Sequence, residues 1–326
     1  MQALGNDFVV VDAQTLASSD SGRQLLRNWN KLAGRIALAL CDRHFGVGGD
    51  GLIIALNKEA LRELRSLEIS ELSTLLSSSG DIGWIYTNGD GSVSDMCGNG
   101  LRCLALLAVR RGLVKESEFV IATQIGPVSA RFETEERISI DLGPPKLSTE
   151  LIPLDIKSQA QFVRQPLTIQ PFGLKRELLV TCVGMGNPHC VVFGDYSNAP
   201  FASPELDALA RSIQGNVLFP EGVNVEFATV KSSNLVRVLV WERGCGPTLA
   251  CASGAAATVV AGVLEKRLSK NCMVELPGGS LQIAWSDTNG HVVLTGSARE
   301  VFAGEIDLLK FESLRGLLAA EATCLQ

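Results

Sequence analysis

The sequence predicts an α+β protein built as two similar halves, and two observations carry that prediction. The first is a series of short strand-like runs, VIATQIGPVSARFE, RISIDLG, LLVTCVG, VRVLVWE, MVELPGG, SLQIAWS and HVVLTGS, separated by Gly, Pro or Asn-Gly turns. Long helical patterns are few and do not alternate with the strands, which favours α+β over a regular βαβ chain. The second observation is an internal repeat. Gly5-Asn6-Asp7-Phe8 and Gly186-Asn187-Pro188-His189 are both Gly-Asn turns that open a β-branched strand. Gly46-Val47-Gly48-Gly49-Asp50-Gly51 follows in the first half and Gly222-Val223-Asn224-Val225-Glu226 in the second. Met96-Cys97-Gly98-Asn99-Gly100 and Ala250-Cys251-Ala252-Ser253-Gly254 come third, each leading into an apolar helix that ends in basic residues. The order is the same in both halves, and the linker between them is expected near Gly143-Pro144-Pro145.

Helices are expected over residues 23–41, with a cap near Asp20 and Ser21, and over 57–77, after each of the two cysteine motifs, and over 309–322. Asn99 and Ser253 are N-cap residue types, and Arg110, Arg111, Lys266 and Arg267 fall where helix C-termini favour cations.

Composition excludes several classes of function. The chain has 326 residues, 46% of them hydrophobic, enough for two cores. Its net charge of −6 comes with no basic block, which argues against a nucleic-acid groove. No apolar run approaches the roughly 18 residues a membrane span needs. MQALGNDFVVVD has neither a signal-peptide nor a transit-peptide pattern, so the expected location is the cytoplasm. Nine cysteines in a chain of this kind argue against a disulfide framework, and Cys41, Cys103, Cys182, Cys190 and Cys272 are expected to be small buried hydrophobes.

Cys97 and Cys251 are different because each stands at a helix start. Unpaired N–H groups and the helix dipole there stabilise a thiolate and also bind a carboxylate. Two such starts facing each other across a cleft would hold an amino-acid carboxylate and place one thiol on each face of its α-carbon. One thiolate would remove the α-proton and the opposite thiol would return one, inverting the centre. Neither metal nor pyridoxal phosphate is needed for this chemistry. The cysteine spacings do not suit zinc, and GVGGDG lacks the context of a phosphate loop. A Cys251–His189 nucleophile pair is chemically feasible but leaves Cys97 without a role.

HFGVGGDGLI, YTNGDGSVSDMCGNGLRC, MGNPHCVVF, GVNVEF and WERGCGPTLACASGAAA resemble successive signature segments of the diaminopimelate epimerase family, from Leu4 to about Leu308. The resemblance implies two similar mixed β/α domains, each a curled sheet around a central helix. Residues 1–142, with 298–310 returning to them, would form the first and 143–297 the second, and residues 311–326 a C-terminal helical extension. It implies interconversion of LL- and meso-diaminopimelate without a cofactor, and a homodimer. Cys97 and Cys251 would be the base and acid. The backbones of Gly98-Asn99 and Ala252-Ser253 would hold the reacting carboxylate, and Asn6, Asn88, Asn187 and Asn224 would hydrogen-bond the substrate. Glu242 and Arg243 would read the distal ammonium and carboxylate, and His189 would line the site beside Cys251. A two-cysteine racemase of another amino acid and a non-catalytic relative are the alternatives. The departures are Ala252 where the family has Gly, Gly51 where it often has Gln, and a missing half-strand and His-Gly before Leu4. The last leads one to expect no strand pairing beside Asn6.

Overall fold

The computed structural model describes residues 1–13, 29–65, 73–93, 96–156, 160–308, 311 and 314. The chain divides into two compact units, Met1–Ile138 with Ser297–Gln326, and Ser139–Gly296.

In the first unit the strands run in sheet order β1 (Gln2–Ala3), β2 (Asn6–Asp12), β3 (Gly51–Leu56), β4 (Ile82–Asn88), β5 (Glu118–Thr123) and β6 (Gly126–Thr134). β2 and β3 are parallel, and helix α1 (Trp29–Cys41) lies between them in the chain. Its apolar positions Leu32, Ala33, Ile36, Ala37 and Leu40 fall on one face at helical spacing and join Leu52, Ile54 and Leu56 of β3 in one core. β3 and β4 are antiparallel, β4 and β5 parallel, and β5 and β6 an antiparallel hairpin turned at Gly126. Helices α2 (Lys58–Arg65) and α3 (Ser73–Ser77) follow β3, and α4 (Gly98–Arg110) follows β4. α4 is buried from Gly98 to Ala108 and packs on β1, β2, β3 and β6, so the mixed sheet curls around it.

The chain next forms β7 (Arg137–Asp141). The second unit then contains β8 (Gln165–Ile169), β9 (Arg176–Gly184), β10 (Pro188–Phe193), α5 (Pro204–Gln214), β11 (Asn224–Ser232) and β12 (Leu235–Glu242). After these come β13 (Gly246–Thr248), α6 (Ala252–Leu264), β14 (Asn271–Leu276), β15 (Gly279–Trp285) and β16 (Val292–Gly296). The pairing repeats that of the first unit: β9 antiparallel to β10, β10 parallel to β11 with a helix between, β11 antiparallel to β12, β12 parallel to β14, and β14 antiparallel to β15. α6 is enclosed in its curled sheet as α4 is in the first, touching β9, β10, β11, β12, β14, β15 and β16. The internal repeat read in the sequence is therefore a repeat of topology in these strands and in the helices α1 and α5, α4 and α6, with α2, α3, β8 and β13 added to one unit or the other.

Several expectations change. β1 pairs antiparallel with β2, Ala3 opposite Asn6, and Gln2 bridges to Arg299, so strand pairing beside Asn6 is present. Of the helix expected over 57–77 the described residues contain α2 and α3, and residues 66–72 lie outside them. Each half also holds two parallel β-helix-β steps, β2-α1-β3 and β4-α4-β5 in the first and β10-α5-β11 and β12-α6-β14 in the second, which the strand-rich pattern did not suggest. α5 was not anticipated either, although Pro204 at its first turn and Leu206, Leu209, Ala210 and Ile213 on one face mark it. Of the helix expected over 23–41 the described part is α1; its cap and the C-terminal helix lie outside the described residues, Phe311 and Leu314 excepted. Cys41, Cys103, Cys182, Cys190 and Cys272 are all buried. No helix among the described residues is long and apolar enough to cross a membrane.

Candidate active site

The residues singled out by sequence gather at the same end of each repeated sheet. In the first unit Asn6 opens β2, Gly51 opens β3 opposite Asn88, the last residue of β4, and Cys97 precedes α4. In the second, Asn187 precedes β10, and His189 stands in register with Asn224, which opens β11. Glu242 closes β12 and Cys251 precedes α6. The order Asn, strand, helix, strand, strand, Cys, helix is what brings these positions together.

Each cysteine is itself the N-cap of its helix. Cys97 has extended backbone and its sulfur accepts from the Gly100 N–H at 3.5 Å. Cys251 does the same with Gly254 at 3.4 Å. Asn99 and Ser253, expected as caps, instead sit within the first turns. A small residue at the third helical position suits close packing: a Cβ on Gly100 would meet Ile53 and Trp84 at 3.1 Å, and one on Gly254 would meet Glu226 Oε1 at 2.7 Å.

In the first unit Asn6 is the hub. Its Oδ1 lies 3.7 Å from Cys97 Sγ and accepts from Asn99 Nδ2 at 3.2 Å, while its Nδ2 donates to Asp50 at 2.7 Å. Asp50 also accepts from Arg43, whose guanidinium forks onto Asp7 and holds that carboxyl below its ordinary range. Asn99 Oδ1 accepts from the guanidinium of Arg102, which is fully buried and also donates to the carbonyls of Gly98 and Ser297. Burial brings the Arg102 pKa down to about 10, so it stays charged at neutral pH. Asn88 donates to Ser92. Gly51 has no space for a side chain: a Cβ there would come within 2.5 Å of the Tyr86 ring, which stacks on Trp84.

In the second unit Cys251 is buried and its sulfur lies 3.4 Å from Ser253 Oγ. Burial first, then the negative charges of Glu242 and Glu226, push the thiol well above its ordinary range, outweighing the Ser253 and Gly254 hydrogen bonds that lower it. This reverses the expectation of an acidic thiol at this helix start, because desolvation outweighs two hydrogen bonds and the dipole. Glu242 accepts from Thr248 Oγ1 at 2.6 Å. The Arg243 side chain is exposed, lies over Gly222 and donates to the Glu221 carbonyl, and its backbone N–H donates to Asn224 Oδ1 at 2.8 Å. His189 is fully buried between Asn187 Oδ1 and Glu226 Oε1, each at 2.7 Å. Among the described residues His189 makes no hydrogen bond to Cys251; Glu226, to which the sequence assigns no role, bonds His189 and its charge acts on Cys251. Asp50 and Arg102 were also missed. An arginine inside the apolar run LRCLALLAV was the available signal for the latter.

Among the described residues no group of three or more His, Cys, Asp or Glu could hold a metal ion.

Two curled mixed sheets of one topology, each around a cysteine-capped helix, give this chain the fold of known amino-acid racemases and epimerases. It superposes on a probable proline racemase from Agrobacterium radiobacter with a TM-score of 0.59 at 13% identity, covering 96% of this chain and 93% of that one. A hydroxyproline epimerase from Agrobacterium vitis gives 0.57 at 12% identity, covering 91% of this chain and 87% of that one. The chain belongs to the diaminopimelate epimerase family, whose model matches residues 1–148 and 181–301. Relatives named diaminopimelate epimerase include one from Microcystis aeruginosa, 38% identical over 93% of this chain and 96% of that protein. Another, from Heliobacterium modesticaldum, is 36% identical over 94% of this chain and 98% of that protein.

Proposed function

We propose that this protein interconverts LL- and meso-diaminopimelate, with Cys97 and Cys251 as the two proton-transfer groups. The observation that carries the reading is that both cysteines are N-caps of equivalent helices, so each thiol stands beside the N–H groups of a first turn. Those N–H groups, at Gly98-Asn99 and Ala252-Ser253, take the reacting carboxylate, and charge developing there is stabilised by donors already in place. One sulfur, as thiolate, takes the α-proton; the electron pair left on the α-carbon delocalises into the carboxylate. The other thiol gives its proton to the opposite face and becomes the thiolate, so protons and charge balance. Cys251, buried beside Glu242 and Glu226, is suited to enter as the acid, which leaves Cys97 as the base.

Asn6, Asn88, Asn187 and Asn224 provide amide contacts to the substrate, and His189 positions Asn187. Arg243 and Glu242 select a substrate with a second amino-acid head, the feature that separates this reading from a racemase of a one-headed amino acid. A pair of duplicated epimerase domains, a homodimer and a cytoplasmic setting belong to the same proposal. The test is incorporation of deuterium at the α-carbon of LL-diaminopimelate in D2O, with no cofactor added. Exchange accompanied by appearance of the meso isomer supports the reading. Exchange into a one-headed amino acid but not into diaminopimelate transfers the site to the other racemase class, and no exchange into either makes the chain a non-catalytic relative.

A further inference from the structure

We propose that Arg102 and Asp50 are positioning residues for Cys97. They terminate a one-directional hydrogen-bond chain, Arg102 to Asn99 to Asn6 to Asp50, that turns the Asn6 side-chain oxygen onto the Cys97 sulfur. The substrate-binding part of this inference rests on the epimerase reading above; the chain itself does not.

A side-chain amide can face either way, and what fixes it is the chemistry of its neighbours. Arginine has only donors, so Asn99 must present Oδ1 to Arg102 Nη2, 2.9 Å away. Asn99 Nδ2 is then the atom that faces Asn6, which must answer with its oxygen, at 3.2 Å. That leaves Asn6 Nδ2 toward Asp50 Oδ2 at 2.7 Å, and a carboxylate accepts. The two ends demand the same orientation. Turning either amide would set donor against donor or acceptor against acceptor.

Both ends are anchored. Arg102 is fully buried, and among the described residues its acceptors are two carbonyls and the Asn99 oxygen, none of them a carboxylate. Asp50 is held from the other side by Arg43 at 2.8 Å and through its backbone N–H by the Asp7 carbonyl at 2.8 Å. A buried cation at one end and an anion at the other polarise the amides in series. In its protonated form the Cys97 thiol joins at the middle: it donates to Asn6 Oδ1 while its sulfur accepts from Gly100.

Among the described residues the second unit has no such chain. With Cys251 aligned on Cys97, Ser253 replaces Asn99 and Ala256 replaces Arg102, and Ser253 Oγ meets the sulfur directly at 3.4 Å. The device therefore belongs to one of the two cysteines, and this accounts for a buried guanidinium within the apolar part of the helix.

Arg102 is too buried for its loss to be separated from folding, so Asp50, whose side chain is 42% exposed, carries the test. The readout is alkylation of Cys97 by iodoacetamide at one pH, followed by peptide mass spectrometry, with Cys251 in the same sample as reference. Asp50→Ala removes the acceptor that holds the Asn6 amide from one side and leaves Asn99 to hold it alone; the loosened Asn6 oxygen should bear less on the sulfur and speed Cys97 alkylation by about fivefold or more, the scale of one hydrogen bond. Asp50→Asn keeps an acceptor oxygen and should stay within about twofold of the wild type. The exchange Asn6→Asp with Asp50→Asn restores the hydrogen bond with its direction reversed. It should keep the melting temperature but slow Cys97 alkylation, because a carboxylate now faces the sulfur. For LL-diaminopimelate, kcat/KM should fall about 10- to 100-fold in Asp50→Ala and largely recover in Asp50→Asn. Unchanged Cys97 alkylation in Asp50→Ala, or an exchange variant that behaves like the wild type, would overturn the proposal. Altered alkylation in a protein that does not epimerise diaminopimelate would keep the chain and reject the functional reading instead.

Discussion

Glu226 Oε1 meets His189 Nδ1 at 2.7 Å with both side chains fully buried, and Glu226 Oε2 has no hydrogen-bond partner among the described residues. Burial raises the Glu226 pKa from its ordinary 4.5, with His189 opposing and Glu242 reinforcing the shift. A carboxyl raised in the folded state binds its proton more tightly there than in the unfolded chain. Stability from this group is therefore greatest at acid pH and falls as pH climbs from about 4.5 through the folded value. Glu226→Gln should flatten that fall. Denaturant midpoints at pH 5, 6, 7 and 8 check it, and equal slopes in the two proteins would show that another group titrates. The same variant removes one of the charges that raise the Cys251 thiol, so Cys251 should alkylate faster at a given pH.

The cysteines serve two ends at once, as proposed proton-transfer groups and as caps, and two substitutions separate them. Cys→Ala at 97 or 251 removes base and cap together, with a stability loss of about 0.5–2 kcal/mol expected for the cap. Cys→Ser keeps a cap oxygen but is a far weaker acid. Either serine variant should hold a near-native melting temperature and lose net inversion. Full epimerase activity in either alanine variant would remove that cysteine from the mechanism.

Arg243 is exposed and among the described residues its side chain hydrogen-bonds a carbonyl and no carboxylate, so its charge is available to a substrate. Arg243→Met should reduce kcat/KM for LL-diaminopimelate about 10- to 100-fold, the scale of a lost hydrogen bond between charged groups. The loss should be seen mainly in KM, since the residue does not face the reacting carbon. A change below threefold would mean that Arg243 does not read the distal head.

Placing at Gly51 the glutamine often found there in the family should destabilise this chain. Its Cβ would fall 2.5 Å from Tyr86 Cε2 and 2.9 Å from its hydroxyl. The ring stacks on Trp84 and meets Phe8 edge-on, which opposes its swinging aside. Overpacking of this kind costs about 1–3 kcal/mol. Gly51→Ala should already show it as a lower denaturant midpoint, and an unchanged midpoint would show that the ring does move.

Much of this architecture is legible in the sequence because the signals are local. Gly-Asn turns open β2 and β10, apolar runs follow both cysteines, and the order of motifs exposes the duplication. The details that were missed depend on burial or on partners far away in the chain. Cys97 and Cys251 act as caps because their backbones are extended, which leaves Asn99 and Ser253 inside the helix; residue type alone favoured the latter. The Cys251 thiol is raised by burial first and then by Glu242 and Glu226, which arrive from two other strands. Asp50 reads as a turn residue until Asn6, 44 positions earlier, is seen donating to it. Tyr86 and Gly51 are cross-strand neighbours only once β3 and β4 pair.

The enclosure of α6 has a kinetic consequence. Seven strands surround a helix whose own sequence is Ala, Gly, Val and Thr for most of its length, with little amphipathic pattern to stabilise it alone. The helix has no solvent-facing stripe on which to wait, and the sheet cannot finish curling around a core that is not there. Strand pairing in this unit joins segments from both sides of the helix, as between β12 and β14, so loop-closure entropy must be met before most of the native contacts form. Amide hydrogens of α6 should consequently exchange only when the whole unit opens, and collapse of the unit should be slow and all-or-none rather than growing outward from a preformed helix.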